Sequence, residues 1–182
     1  MKVQLGTMIS EYSVRNKNDE DIHVYSVTNE QGFCTGYFNK DVSSKDRSIY
    51  KIVPRGYFAY NPSRINVGSI GWQNCEERVI VSPLYVVFGV NEKIDQRYLL
   101  YFLKSDIALT YIRAYATGSV RDNLKFSVLC KMQINLIPID RQRQIAGILD
   151  SIDCLIGLYK EKVNMLDYLV KSKLYDDLEV AA

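Results

Sequence analysis

The spacing of hydrophobic and polar positions changes twice along the chain, and each change predicts a different kind of element. Up to residue 92, short β-rich runs alternate with polar or Gly/Pro breaks, which predicts strands at 22–28, 48–53, 57–60 and 79–90. The last run is almost wholly apolar, as is typical of strands that are buried on both faces. Pro83 predicts a break or an edge within it.

A helical period replaces the strand pattern between Asp95 and Ala116, where apolar residues recur every three or four positions. Gly118 follows, at the place where a helix C-terminus is expected. A turn-rich segment comes next, and residues 132–137 predict one more strand, which Pro138 closes. The fold class predicted is therefore α+β, with a mainly β domain and a packed helix over residues 1–139.

The remaining chain carries a heptad pattern, in a helix predicted to begin with Asp140 as its N-cap. The two heptad positions that form the contact stripe of a coiled coil, which we call the seam, are apolar in four successive heptads. They are Ile145, Leu149, Ile152, Ile156, Tyr159, Val163, Leu166 and Val170. A helix over residues 140–178 is about 57 Å long, at about 1.5 Å per residue, and residues 179–182 form a tail. Pairing with a second chain is favoured over folding back. The pattern does not choose between parallel and antiparallel pairing.

Charge and cysteine content add little to this picture. The formal net charge is +2, but residues 1–139 hold 17 Lys and Arg against 13 Asp and Glu, whereas residues 140–182 hold 6 against 8. That distribution fits nucleic-acid contact through the first part alone. Four scattered cysteines and the single His23 lack metal-ligand spacing. Free thiols, with no signal peptide or membrane-length apolar run, favour the cytoplasm.

The most informative stretch is YNPSRINVGSIGW at residues 60–72. Its Asn61-Pro62 pair is similar to the start of the NPPY box of amino-methyltransferases. However, Ser63 and Arg64 stand in place of the second proline and of the aromatic residue that stacks on a flipped base. There is also no Gly-rich loop after an early strand to hold S-adenosylmethionine. The chain is therefore not predicted to be an enzyme.

Five segments, in this order, resemble the target recognition domain and spacer helix of type I restriction-modification specificity subunits. They are YSVTNEQGF at 25–33, YNPSRINVGSIG at 60–71, VSPLYVVF at 81–88, GSVRDNL at 118–124 and IPIDRQRQIAGIL at 137–149. The resemblance covers about residues 3–178. One departure is Arg143, because the family pattern usually has Glu before Gln144.

Full-length subunits of that family contain two recognition domains and two spacer helices, whereas this chain has one of each. The resemblance therefore implies a half-length, non-catalytic subunit that forms a homodimer, through an antiparallel coiled coil, and recognises a palindromic, two-part DNA site. It implies as partners double-stranded DNA, a DNA methyltransferase (modification) subunit and a restriction motor-nuclease subunit, and no membrane. No cofactor is expected on this chain, since S-adenosylmethionine belongs to the modification subunit.

Candidate DNA contacts lie in two turn-rich loops and comprise Tyr60, Arg64, Asn66, Ser69, Arg121, Asn123 and Lys125. Arginine can pair with guanine and asparagine with adenine, and either can hold a phosphate. The alternative is that these side chains brace their loops. A second polar segment is either a DNA-facing patch or, as is commoner, scattered surface charge; it holds Lys40, Lys45, Arg47, Lys51 and Arg55.

Two rival functions remain open from the residues alone. One is a truncated decoy that occupies modification subunits without productive DNA recognition. The other is a coiled-coil scaffold with no DNA role, which predicts no DNA affinity even at low salt. Both would keep the same C-terminal helix.

Overall fold

The computed structural model describes residues 1–35, 47–116 and 123–180, with side chains as far as residue 173. The chain separates into two compact units, Met1–Arg143 and Gln144–Ala182. The described strands are β1 (Lys2–Gln4), β2 (Ile9–Tyr12), β3 (Ser26–Thr28), β4 (Gly32–Cys34), β5 (Lys51–Pro54), β6 (Phe58–Tyr60), β7 (Ile70–Trp72), β8 (Arg78–Val81), β9 (Val86–Val90) and β10 (Gln133–Asn135). The described helices are α1 (Gln96–Lys104), α2 (Asp106–Tyr115), α3 (Phe126–Leu129) and α4 (Ile139–Val180).

The largest sheet of the first unit is antiparallel, with the strand order β2-β9-β6-β7. Three antiparallel pairs accompany it, formed by β1 with β10, β3 with β4, and β5 with β8. A sheet-rich region followed by a long helix confirms the predicted α+β class. Strands β1, β2, β4 and β7 were not among the predicted strands. Each has only three or four residues, which are too few to show the alternation of apolar and polar positions.

The core of the first unit lies between the large sheet and helices α1 and α2. Phe58 and Phe88 face each other on neighbouring strands, with stacked rings whose centroids are 5.0 Å apart. Leu99 and Leu103 of α1 and Ile112 of α2 are completely buried in the same cluster. Each fully buried side chain of this size contributes roughly 1.5–3 kcal/mol relative to an exposed one.

The apolar run over residues 79–90 is two strands rather than one. Strands β8 and β9 belong to different sheets, and the backbone N–H of Tyr85 donates to the carbonyl of Ser82 in the turn between them. Pro83 lies in this turn, so the predicted break is confirmed. Val79, Ile80 and Val81 are fully buried, as is typical of strands covered on both faces.

The single helix predicted between Asp95 and Ala116 is wrong, because the chain forms two helices that meet at Ser105. The backbone of Ser105 is extended, and its hydroxyl oxygen accepts from the backbone N–H of Ala108, so Ser105 caps α2. The buried positions reveal the break: Leu103 is followed five residues later by Ala108, a step that a continuous helix face does not make. The predicted stop at Gly118 lies outside the described residues, and α3 was not predicted.

Helix α4 begins at Ile139, so the prediction of Asp140 as N-cap is wrong; Asp140 lies in the first turn, where its charge favours the helix N-terminus. Gln142 is fully buried in the first unit. Its side-chain amide donates to the carbonyls of Lys93 and Ile137, and its oxygen accepts from the N–H of Asp95. The unusual Arg143 pairs with Asp140 at 3.5 Å.

In the second unit, α4 exposes a broad set of large apolar side chains. The exposed fraction is at least 46% for Ile148, Ile152, Leu155, Ile156, Leu158, Tyr159, Val163, Met165, Leu166, Tyr168, Leu169 and Val170. Ile145 and Leu149 are half-buried. Even so, none of the helices in the described part of the chain combines the length and apolar character needed to cross a bilayer.

Candidate nucleic-acid interface

The candidate interface is built on the loop between β6 and β7, residues 61–69, which we call the β6–β7 loop. The carboxamide oxygen of Asn61 accepts from the backbone N–H of Ser63 at 3.0 Å, and the N–H of Arg64 returns to the Asn61 carbonyl at 3.0 Å. Ile65 is fully buried and anchors the loop in the core. The N–H of Ser69 donates to the Arg64 carbonyl, which closes the loop. These contacts fix the backbone that carries Arg64.

Strand β3 is hydrogen-bonded to the same loop. The Ser69 hydroxyl donates to the Val27 carbonyl at 2.7 Å, and the Val27 N–H donates to the phenolic oxygen of Tyr85 at 3.3 Å. Gly68 has φ of +89°, a left-handed conformation that other residues rarely adopt. A side chain there would have room, because the nearest atom to an added Cβ is 3.6 Å away, on Asn29. The backbone conformation is therefore what requires glycine.

Tyr60 and Ser69, two of the predicted DNA contacts, are buried. The Tyr60 hydroxyl donates to the Leu124 carbonyl at 3.1 Å, and burial raises the pKa of Tyr60 well above its ordinary value. The N–H of Leu124 in turn donates to the carbonyl of Pro62. We therefore assign both residues a bracing role, because neither presents a free polar group at the surface.

The remaining described candidates lie at the surface around the loop. The Ser63 hydroxyl donates to the carboxamide oxygen of Asn123, which brings the segment of Asn123 and Lys125 against the β6–β7 loop. Both of these residues are exposed, as is Arg64, and Asn66 is partly exposed. Among the described residues, no group pairs with the Arg64 guanidinium, so its five N–H donors are available. Arg121 lies outside the described residues.

Sequence reasoning missed one basic residue that belongs to this surface. Arg113 of α2 is exposed, and its Nε donates to the carbonyl of Asn66 at 3.1 Å. This contact leaves the terminal nitrogens of the guanidinium beside the β6–β7 loop. The sequence offers no signal for it, because 47 residues separate the two positions and only the packing of α2 brings them together.

A small recess opens beside Arg64, and we call it the loop recess. It has a volume of about 200 Å³ and lies between the end of β3 and the β6–β7 loop. Its polar lining residues are Ser26, Thr28, Asn29, Asn61, Arg64, Ser69 and Tyr85. Pockets that enclose drug-sized molecules are larger, at about 300–1,000 Å³. The loop recess is of a size for a single phosphate group or the edge of a base.

The second polar segment named in the sequence is largely occupied in structural contacts. Arg47 pairs with Asp21 at 3.3 Å, and the Arg55 guanidinium donates to the carbonyls of Cys75 and Glu76. The Lys51 ammonium donates to the Tyr85 carbonyl at 2.7 Å, and burial lowers the pKa of Lys51. These contacts favour the interpretation as structural or scattered charge. Lys40 and Lys45 lie outside the described residues.

Metal and disulfide chemistry are not evident in the part of the chain that the structure describes. Within residues 1–35, 47–116 and 123–173 there is no group of three or more His, Cys, Asp or Glu side chains placed to hold a metal ion. The four cysteines, all of them described, are free thiols.

Comparison with known proteins gives a consistent result. A model of the type I restriction modification DNA specificity domain matches residues 3–167. Among solved structures, the HsdS subunit from Thermoanaerobacter tengcongensis is 17% identical with a TM-score of 0.65, over 86% of this chain and 43% of that one. A chain from a study of complex assembly and conformational transition of the type I R-M system is 17% identical with a TM-score of 0.60, over 88% and 40%.

A third similar structure is the type I restriction-modification S subunit from M. genitalium, which is 12% identical with a TM-score of 0.50, over 93% of this chain and 43% of that one. At these identities the likeness establishes the fold. The chain spans less than half the length of each of these structural relatives. No curated protein sequence matches the chain.

Proposed function

The chain belongs to the family of type I restriction modification DNA specificity domains, and from this membership we propose that it is a non-catalytic subunit that directs a type I restriction-modification assembly to its DNA target. The observation that carries the proposal is the family match over residues 3–167, which includes the whole β6–β7 loop. The proposed division is a recognition domain over residues 1–139 and a dimerising spacer helix over residues 140–178.

The β6–β7 loop supports DNA binding through the state of its side chains. Internal hydrogen bonds fix its backbone. The Arg64 guanidinium, in contrast, makes no hydrogen bond to another described residue. Arg113, Asn123 and Lys125 lie around it. Guanidinium, ammonium and amide donors on a rigid frame suit phosphate oxygens, and Arg can also pair with a guanine edge. Rigidity matters here because ordering a loop on binding would reduce affinity.

We assign Arg64 and the loop recess to a backbone phosphate rather than to a base. The groups at the recess without partners among the described residues include the Arg64 guanidinium and the Asn61 side-chain NH₂, both of which are donors. A phosphate has only acceptors to offer, so a donor-rich recess matches it. Base reading then belongs to other exposed polar residues of the interface, such as Asn66 and Asn123.

The exposed seam of α4 supports a homodimer. Ile152, Ile156, Tyr159, Val163 and Leu166 repeat at heptad spacing and are each 46% to 67% exposed. Pairing of two such seams removes this apolar surface from water. The chain spans 40% to 43% of the length of the two solved structures that it resembles, and in the proposed dimer a second copy supplies a second recognition domain and a second helix. A two-fold dimer matches a palindromic, two-part site.

The apolar surface of α4 is wider than a two-helix seam. Leu155, Leu158, Met165 and Leu169 lie beside the seam and are more than half exposed. A two-stranded coil covers a narrow stripe, so this additional surface suits further helices. We propose that modification subunits dock there and supply S-adenosylmethionine and the methyltransferase chemistry, and that motor-nuclease subunits join that assembly.

The test is a DNA selection. The full-length chain, alone and with its modification subunit, is incubated at low salt with random double-stranded DNA, and the bound sequences are determined. We expect a palindromic site of two halves, with an affinity for the chain alone that is weak and falls steeply with salt. Binding to the modification subunit without any DNA selection would support the decoy instead. A chain that binds neither partner would leave only the scaffold.

A further inference from the structure

The turn between β3 and β4, residues 29–31, which we call the β3–β4 turn, exposes three polar side chains next to the loop recess. Resting on the DNA binding of the proposed function, we propose that this turn enters the major groove and reads bases. Gln31 pairs with an adenine, and Glu30 accepts a hydrogen bond from the amino group of a cytosine. The turn thereby helps to select the target sequence, a role distinct from the phosphate contact of Arg64.

The β3–β4 turn begins at the wall of the loop recess. Its first residue, Asn29, lines the recess together with Arg64. A Cβ added to Gly68 would lie 3.6 Å from the Cβ of Asn29, which shows how close the turn is to the β6–β7 loop. Consecutive Cα atoms are about 3.8 Å apart, so the Cα of Gln31 lies within about 8 Å of that of Asn29. A DNA phosphate bound at Arg64 would therefore bring the adjoining groove against the turn.

Local contacts fix the shape of the β3–β4 turn. Thr28 pairs with Gly32 across the hairpin, and the backbone N–H of Gln31 donates to the Thr28 hydroxyl at 3.1 Å. Gly32 has φ of +64°, the left-handed conformation that commonly ends a three-residue hairpin loop. A turn of defined shape presents its side chains without the free-energy cost of ordering a loop on binding.

The hairpin that carries the turn is packed against β7 and α1. Val27 and Phe33 are buried, and a Cβ added to Gly71 of β7 would lie 2.9 Å from a ring carbon of Phe33 and 3.2 Å from a methyl group of Val27. Only glycine allows so close an approach. The Lys104 ammonium of α1 donates to the Asn29 carbonyl at 3.4 Å. Contacts from two neighbouring elements therefore hold the turn beside the loop recess.

The state of its side chains distinguishes the β3–β4 turn from a second polar turn of the same unit, at residues 73–77. There, the buried Gln73 amide donates to the carbonyls of Val53 and Glu76, and the Glu76 carboxylate accepts from the Tyr25 hydroxyl. In the β3–β4 turn, no described residue forms a hydrogen bond with the side chains of residues 29–31. Their amide and carboxylate groups are thus available to base edges.

Charge favours a base edge over the DNA backbone as the partner of this turn. Phosphates repel a carboxylate, so Glu30 stabilises a complex only where it meets a donor, such as the cytosine amino group. The major groove, about 12 Å wide, admits a two-stranded β-ribbon, and β3 and β4 form such a ribbon. Beside the recess, Arg64, Lys104 and Arg113 are placed to hold the flanking phosphates.

Exchanging the two functional groups tests the base reading directly. The full-length chain with its modification subunit is incubated with random double-stranded DNA, and the bound sequences are compared for the wild type, Gln31→Glu and Glu30→Gln. We expect Gln31→Glu to change one adenine of each half-site to cytosine, and Glu30→Gln to change one cytosine to adenine. Each change in relative affinity should be at least about tenfold. The slope of log K against log salt concentration should stay nearly unchanged, because no phosphate contact is lost.

Exposed residues outside the turn provide the matched control. Gln133→Glu and Glu77→Gln make the same chemical changes and should select the wild-type sequence. If Gln31→Glu and Glu30→Gln also selected that sequence, the turn would not read bases. If Glu30→Gln raised the affinity for all sequences alike, with no change in base preference, the turn would face the backbone and the proposal would be wrong. A wild-type chain that selects no sequence would remove the proposed function itself, and this role with it.

Discussion

The two units of this chain differ in where their apolar side chains lie. In Met1–Arg143, Phe58, Phe88, Leu99 and Leu103 are completely buried, and polar groups such as the Gln142 amide have partners inside the unit. In Gln144–Ala182, a dozen large apolar side chains between residues 148 and 170 are at least 46% exposed. The first unit thus contains its own core, whereas the second exposes a large apolar surface, a feature typical of interaction sites.

This comparison separates two kinds of stability. The first unit is expected to unfold as a domain with its own free energy of unfolding, set by the packing of its core. In the proposed dimer, the stability of helix α4 depends on association and therefore on protein concentration. Mutations in the two units should therefore change different observables.

The largest expected effect comes from breaking the seam with Ile152→Asp and Val163→Asp together. Two carboxylates buried without partners should raise the dimer dissociation constant by at least about a thousandfold. Light scattering should then give the 21.0 kDa monomer in place of a dimer of twice that mass. Gly157→Asp with Asn164→Asp is the matched control, because it adds the same charge on the polar side of the helix. A wild-type chain that is already monomeric would contradict the proposal that the apolar surface of the second unit is buried by a second copy.

The next effect lies in the core of the first unit. Leu103→Ala removes a fully buried side chain of α1 and should lower the free energy of unfolding by about 3 kcal/mol. Urea unfolding at fixed protein concentration measures it. Ile107→Ala, at a position 76% exposed on α2, is the control and should cost less than about 0.5 kcal/mol. If Leu103→Ala instead abolished the dimer and left the free energy of unfolding unchanged, the core of the first unit would control association through the second, and the two units would not be independent.

The long helix and the β-rich body were predictable because their patterns are long. Four successive heptads specify α4, and the apolar run over residues 79–88 specifies buried strands. The break at Ser105 was missed because one serine can cap two helices while the apolar spacing on either side stays helical. Element boundaries depend on such single hydrogen bonds, and a residue pattern does not display them.

The candidate interface was predictable only in part, for a similar reason. The sequence places Arg64 and Asn66 in a loop between strands, and the structure has them there. Whether a polar residue braces a loop or faces solvent depends on its tertiary partners. Tyr60 donates to Leu124, 64 residues away, and Ser69 to Val27, 42 residues away. Neither partner could be identified from one sequence. The contact of Arg113 with the Asn66 carbonyl could not be identified either, because 47 residues separate the two.

A smaller effect distinguishes DNA contact from structure within the first unit. Arg64→Ala should weaken DNA binding by about tenfold for all sequences alike, and should reduce the slope of log K against log salt concentration by about 0.9, as expected for one lost phosphate contact. Fluorescence anisotropy at several salt concentrations measures both. Lys131→Ala removes one exposed positive charge elsewhere and should leave the slope nearly unchanged. Loss of affinity for one base pair alone would show that Arg64 reads a base instead.

The smallest effect concerns the bracing of the interface. Tyr60→Phe removes the hydrogen bond to the Leu124 carbonyl and should cost about 1 kcal/mol of unfolding free energy at pH 7. Dimer mass and the salt slope of DNA binding should stay as in the wild type. If Tyr60→Phe weakened DNA binding at a fixed salt concentration without changing unfolding, the hydroxyl would contact DNA and the bracing role would be wrong.

The pH dependence of the same variant provides a further check. Burial raises the pKa of Tyr60 above its ordinary value of 10.0 in the folded chain, so the neutral phenol stabilises the fold. That contribution is complete below about pH 10 and is lost as the pH rises above it, because the unfolded chain ionises first. Phenylalanine does not ionise. The stability difference between wild type and Tyr60→Phe, measured by urea unfolding, should therefore shrink above about pH 10. A difference that stayed constant would mean that Tyr60 is not held neutral by burial.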